Sequence, residues 1–208
     1  TPDMPNQIQQ LIKHSGFKEK TLPDGIFLTH AHIGHYTGLM FLGREAIGAK
    51  QCPVYAMPKM RSFLKTSGPW SQLVELNNIK LMNLSADSSV QLSEHISIVP
   101  FTVPHRDEFS ETVGYRIQSS RKSVLYIPDI DSWTEWDSDI NELVKENDIA
   151  FLDGTFYDKT ELKSRNINAI PHPSIRDSME QFSTLDKIDR KKVYFTHLNH
   201  SNNVLRKD

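Results

Sequence analysis

The sequence predicts a layered α/β fold, an αββα four-layer sandwich in which helices flank a block of consecutive strands. Three observations predict it. Segments with helical apolar spacing lie towards both ends of the chain, five strand-like runs follow one another between residues 79 and 127, and histidines or an aspartate close several strands. With 208 residues the chain is long enough for one sizeable core, and the whole of 1–208 reads as one domain.

The elements follow in order. From Pro5, the apolar residues Ile8, Leu11 and Ile12 recur at helical spacing until Gly16 closes the segment. Asp24-Gly25 turns into a buried-type strand at 26–29, and 36–49 reads as a helix with Leu39, Met40, Leu42 and Ile47 facing inward. A strand at 54–57 and a helix at 58–65 precede the Gly68-Pro69 break. Strands are then expected at 79–84, 89–92, 96–99, 112–117 and 123–127, the last two joined as a hairpin. A helix at 135–146, a strand at 149–152, a helix at 174–182 and a strand at 192–196 complete the pattern. The irregular stretch 155–173 is a candidate lid.

A formal net charge of −2 gives no general attraction to nucleic acid or to an anionic membrane, so the expected partner is a small molecule. No run of about 18 apolar residues is present, so no membrane span is expected, and a cytoplasmic and a periplasmic setting both stay open. The single cysteine, Cys52, excludes an internal disulfide and reads as a packed small side chain. The chain opens on Thr-Pro-Asp-Met-Pro without an initiator methionine, and an N-terminal portion is expected to be missing.

Chemistry concentrates in Thr29-His-Ala-His-Ile-Gly-His35, where three histidines follow an apolar strand at i, i+2 and i+5. In an extended segment, residues i and i+2 share a face, so His30 and His32 can grip one ion from one side while His35 opens the next helix. His105, Asp129 and His197 each sit at the end of a strand-like run, which adds three further ligand types on strand ends. Imidazole and carboxylate donors suit zinc, and the same set would accept iron or manganese.

The histidine cluster resembles the HxHxDH signature of the metallo-β-lactamase-fold hydrolases, with Gly34 in place of the aspartate. Thr1-Pro-Asp-Met-Pro5, Gly38-Leu-Met-Phe-Leu-Gly-Arg-Glu45, Pro104-His-Arg-Asp-Glu-Phe-Ser-Glu-Thr-Val-Gly-Tyr115 and Thr196-His-Leu-Asn-His-Ser-Asn202 look like its PqqB-like branch, and they share features with cyclic phosphodiesterase relatives. The resemblance implies one or two divalent ions, the first on His30, His32 and His105. Asp129 would bridge to a second held by His35 and His197. It also implies that His200 acts near the scissile bond as general acid, with a structural cap as its alternative. His172, held between prolines, is a candidate substrate-facing residue or a plain turn residue, and Arg106 either meets an anionic substrate group or pairs with Asp107 or Glu108. Asp131 and Asp153 are candidate acceptors for imidazole N–H groups.

The reading that follows is a metal-dependent hydrolase acting on a small ester or phosphodiester through metal-activated water, with Asp129 and His200 in the chemistry. A PqqB-like non-haem iron oxygenase and a non-catalytic binding protein with a depleted site are the alternatives. The oligomeric state is not readable.

Overall fold

The computed structural model describes residues 1–16, 22–161 and 170–206. Its chain divides into two compact units, Thr1–Ser85 with Asp107–Thr112, and Ala86–Arg106 with Val113–Asp208.

The first unit holds helix α1 (Met4–Ser15), strand β1 (Ile26–Phe27), the one-turn helix α2 (Ile33–Tyr36), β2 (Cys52–Ala56), α3 (Pro58–Thr66), α4 (Trp70–Glu75) and β3 (Ile79–Asn83). Its sheet is parallel in the order β1-β2-β3, with Ile26 opposite Val54 and Val54 opposite Leu81. In β2 the alternation buries Cys52, Val54 and Ala56, and these join Leu39, Leu42, Met60, Leu64 and Ile79 in the unit's core. Apolar positions of α1 supply Met4 and Ile8 to the same core. Gly38 permits the docking of α1: a Cβ there would lie 2.1 Å from the Thr1 carbonyl oxygen and 2.7 Å from Met4 Cβ.

The second unit holds β4 (Val90–Ser93), β5 (Ile96–Thr102), β6 (Val113–Ser119), β7 (Ser123–Ile127), α5 (Ile140–Glu146), β8 (Ile149–Asp153), α6 (Ile175–Gln181), α7 (Lys187–Arg190) and β9 (Val193–Thr196). The strands form one sheet in sequence order, antiparallel from β4 to β7 and parallel from β7 to β9. Leu125, Ile127, Ala150 and Leu152 on one face pack with Ile130, Ile140, Val144 and Phe182. Because β5 and β7 are both antiparallel to β6, β5 runs the same way as β7, β8 and β9. All four strands therefore end at one edge of the sheet, which places the residues that follow them.

Several elements differ from expectation. In place of a helix over 36–49 the chain makes α2, a 3-10 turn (Thr37–Leu42) and a closed loop tied by Ile47 N–H to Phe41 O and Ala49 N–H to Leu42 O. The three-residue period of the 3-10 turn buries Leu39 and Leu42 together and turns Met40 outward, and Ile47 is also exposed. The helix expected at 135–146 starts only at Ile140, where the Asp139 carboxylate accepts from Asn141 N. Upstream, the indoles of Trp133 and Trp136 donate to Ser178 Oγ and to Thr102 O, bonds that hold that segment in turns. β1 is shorter than expected, while the short helices α4 and α7 have no counterpart in the sequence pattern. Part of the 155–173 stretch lies outside the described residues; its ends are pinned by Ile175 N–H to Phe156 O and Arg176 N–H to Tyr157 O.

Gly38→Ala is expected to lower stability by about 1–3 kcal/mol, because the methyl collides with backbone that is not free to move aside. Gly34→Ala, whose Cβ would meet nothing within 4 Å, is expected to be neutral or slightly stabilising. Urea unfolding of the two variants beside the parent checks the contrast.

Candidate functional site

In the first unit, β1 leads into Leu28-Thr29-His30. His30 is buried, and its ring meets His32 edge-on at 4.6 Å and His35 at 4.0 Å between centroids. Thr29 Oγ1 lies 3.2 Å from His30 Nδ1 and 3.5 Å from His35 Nδ1. His32 is the extended residue before α2, and its carbonyl accepts from His35 N at 2.8 Å, which fixes the turn between them. The loop Asp107–Thr112 belongs to this unit: Ser110 Oγ accepts from Ala31 N at 2.8 Å, and Glu108 Oε2 accepts from His32 Nε2 at 3.1 Å.

In the second unit, the shared edge collects His105 after β5, Asp129 after β7, Asp153 at the end of β8 and His197 after β9. Asp153 is fully buried, and its two oxygens take four donors. Thr155 N (2.8 Å) and Thr155 Oγ1 (2.7 Å) bind Oδ1; Ile130 N (3.1 Å) and His172 Nδ1 (2.8 Å) bind Oδ2. Its acceptor sites are therefore filled. Since the Thr155 hydroxyl gives its proton to Asp153, it can only accept from His197 Nδ1, 2.7 Å away. This turns His197 Nε2 towards Asp129 Oδ2 at 3.9 Å. His105 repeats the arrangement: Nδ1 donates to Asp131 Oδ1 at 2.5 Å and Nε2 lies 3.5 Å from Asp129 Oδ2. His172 Nδ1 stands 3.4 Å from Asp129 Oδ1.

The 3.5 Å separation is long for a hydrogen bond but close to the ~3.3 Å between two donors on one tetrahedral ion with bonds of about 2.0–2.1 Å. Asp129, Asp153 and His172 also place ligand atoms within 4.8 Å of one another. With Asp153 saturated by donors, Asp129 is the carboxylate that faces the rings, and the donor set fits a divalent cation. His197 adopts φ 60, a left-handed conformation that costs a non-glycine residue about 1–3 kcal/mol and is held here by the Thr155 bond. Burial alone would lower the His172 pKa, but the Asp153 bond and the charges of Asp153, Asp129 and Asp131 outweigh it, so the ring keeps its proton above the ordinary histidine value.

The structure thus brings His30, His32 and His35 together in one unit, and His105, Asp129, His172 and His197 together in the other. His172 is buried against the two aspartates. His200 lies exposed in the turn after β9, and Arg106 is exposed. The carboxylates considered as partners for Arg106 are engaged elsewhere, Asp107 with Lys59 Nζ and Glu108 with His32. Sequence reasoning named Asp153 as an N–H acceptor but not as the residue that organises the edge, although it closes an apolar strand as Asp129 does. Thr155 went unassigned, and Glu108 was named only as a candidate partner of Arg106; nothing in the sequence marks it, rather than Asp107 or Glu111, as the acceptor for His32.

Residues 2–198 match the model of the beta-lactamase superfamily domain. The chain belongs to this family. Among solved structures, zinc-bound PqqB from Methylobacterium extorquens matches 99% of this chain and 71% of its own, at 19% identity and a TM-score of 0.75. A diphosphatase of the PhnP family matches 97% of this chain and 68% of its own, at 23% identity and a TM-score of 0.58. Unliganded yeast PDE1 matches 92% of this chain and 64% of its own, at 15% identity and a TM-score of 0.59. These likenesses establish the metallo-β-lactamase fold expected from the histidine motif. No curated protein matches the chain. Among the described residues, no helix is long and apolar enough to cross a membrane.

Thr155→Val keeps the shape of the side chain but leaves His197 Nδ1 without its acceptor and Asp153 one donor short. A loss of about 1–3 kcal/mol is expected by urea unfolding. An unchanged midpoint would show that the hydroxyl does not bridge the two.

Proposed function

We propose that this superfamily member is a metal-dependent hydrolase acting on a small ester or phosphodiester, with His30, His32, His35, His105, Asp129 and His197 as its ion-binding residues. The observation that carries the reading is the pair of rings facing Asp129: His105 and His197 both turn Nε2 towards its Oδ2, at 3.5 and 3.9 Å, while Asp131 and Thr155 hold their other nitrogens. Neutral rings fixed in one tautomer are what a cation needs from histidine. A divalent ion held there would lower the pKa of a bound water to about 7 and polarise a substrate oxygen. Imidazole and carboxylate donors favour zinc and would accept iron or manganese. The likeness to a diphosphatase supports the phosphate-ester branch of the reading.

The remaining groups take distinct roles. His172, buried on Asp153, braces Asp129. The exposed His200 is the general acid of this reading, a side chain able to reach a leaving group and give it a proton. Arg106, exposed one residue beyond His105, is available to an anionic substrate.

Position 34 contributes no donor, so one tightly held ion per chain is expected after dialysis against a mild chelator. Asp129→Asn should reduce its content, and Gly34→Asp, whose side chain enters open space, should tighten a second ion. Elemental analysis and metal titration of the three proteins check this. Two tightly held ions in the parent, or a metal-free parent, would overturn it.

His200→Ala should keep the parent's metal content and lower turnover of a phosphodiester substrate by about 10²- to 10⁴-fold. Loss of the ion in that variant would make His200 a ligand instead.

A further inference from the structure

We infer that Glu108 is a positioning residue for His32, a carboxylate that fixes the ring with its proton on Nε2 and so presents Nδ1 to a divalent ion. The inference rests on the proposed metal reading and adds a residue which that reading does not contain. A carboxylate can only accept, so the 3.1 Å contact between Glu108 Oε2 and His32 Nε2 places the proton on Nε2. The neutral ring then has its lone pair on Nδ1. His105 shows the same device in the opposite sense, with Asp131 on Nδ1 and Nε2 turned inward. An acceptor on one nitrogen assigns the other as ligand, and the negative charge makes that ligand more basic.

The contact is built rather than incidental, because the loop that carries Glu108 is fastened on both sides of it. Asp107 pairs with Lys59 Nζ at 3.0 Å, and the Glu111 carboxylate accepts from Lys59 N at 3.0 and 3.1 Å. Ser110 Oγ accepts from Ala31 N at 2.8 Å and donates to Glu111 O at 3.0 Å. Ala31 lies between His30 and His32, so a single loop holds the backbone of the histidine segment through Ser110 and a ring of it through Glu108. The Glu108 side chain is 51% exposed and that of His32 25%, too open for the pair to matter much to folding. Its effect is expected on the tautomer and on metal affinity.

The experiment uses the full chain as parent, Glu108→Ala and Glu108→Gln. In metal-free protein labelled with ¹⁵N-histidine, and with the His32 signal identified by its loss in His32→Gln, the parent should show the Nε2–H form. Glu108→Ala should show a mixture, and Glu108→Gln, whose amide oxygen still accepts, should stay near the parent. Zinc affinity by chelator competition should fall about 10- to 100-fold in Glu108→Ala and less in Glu108→Gln, with little change in the unfolding midpoint of the metal-free forms. A parent that binds zinc while Glu108→Ala keeps both its affinity and its tautomer overturns this inference alone. A parent that binds no zinc, iron or manganese overturns the metal reading on which it rests.

Discussion

The Asp153 carboxylate, buried at the end of β8, accepts four hydrogen bonds, and the arrangement of Asp129, His172 and His197 at that edge of the second unit depends on them. A carboxylate removed from water is costly unless its oxygens are filled, so each of the four donors is held to its place. Ile130 N fixes the turn that aims Asp129. Thr155 passes the constraint to His197, and His172 is drawn down beside Asp129. One residue thereby sets three others, none of which is adjacent to it in sequence. Such a network is fully satisfied only in one arrangement, which is the condition for a rigid set of donors.

A pattern recurs around the histidines: one ring nitrogen is given to an acceptor, and in His105 and His197 it is the nitrogen turned away from Asp129. His105 has Asp131, His197 has the Thr155 hydroxyl, and His32 has Glu108. The acceptors are not equivalent. A carboxylate shares its charge with the ring it touches, whereas the Thr155 hydroxyl relays the charge of Asp153 through one more bond.

Much of the fold, and the grouping of the candidate ion-binding residues, was legible in the sequence through one feature, a strand that stops at a polar residue. Apolar runs ending in Asp129 and His197 marked both the strands and the candidate residues at their ends, and the spacing of His30, His32 and His35 marked the turn after β1. What escaped notice has no periodic signature. Trp133 and Trp136 interrupt an apparent helix through indole hydrogen bonds to Ser178 and Thr102, one of them 45 residues away. The 36–49 segment had helical spacing, but Gly43 and Gly48 let it close into a loop, and Gly48 takes φ 62 there. Glu108, Thr155 and the central place of Asp153 are matters of which acceptor meets which donor, and composition cannot distinguish one acidic residue of a loop from its neighbours.

Gly34 is the point where local structure and chemistry part company. It sits inside α2, whose four residues are too few to be stable by themselves. The turn is instead anchored by Tyr36, buried and edge-on to Phe63 and Trp70 with ring centroids 5.3 and 4.8 Å away. Glycine in a helix costs ~0.5–1 kcal/mol relative to alanine, a loss normally offset by a left-handed φ or by a close neighbour. Gly34 has neither, since a Cβ there would meet open space and no left-handed φ is required of it. The backbone thus has no use for glycine at this position. What the residue contributes is the side chain it withholds: no donor, no negative charge, and room in the turn between His32 and His35.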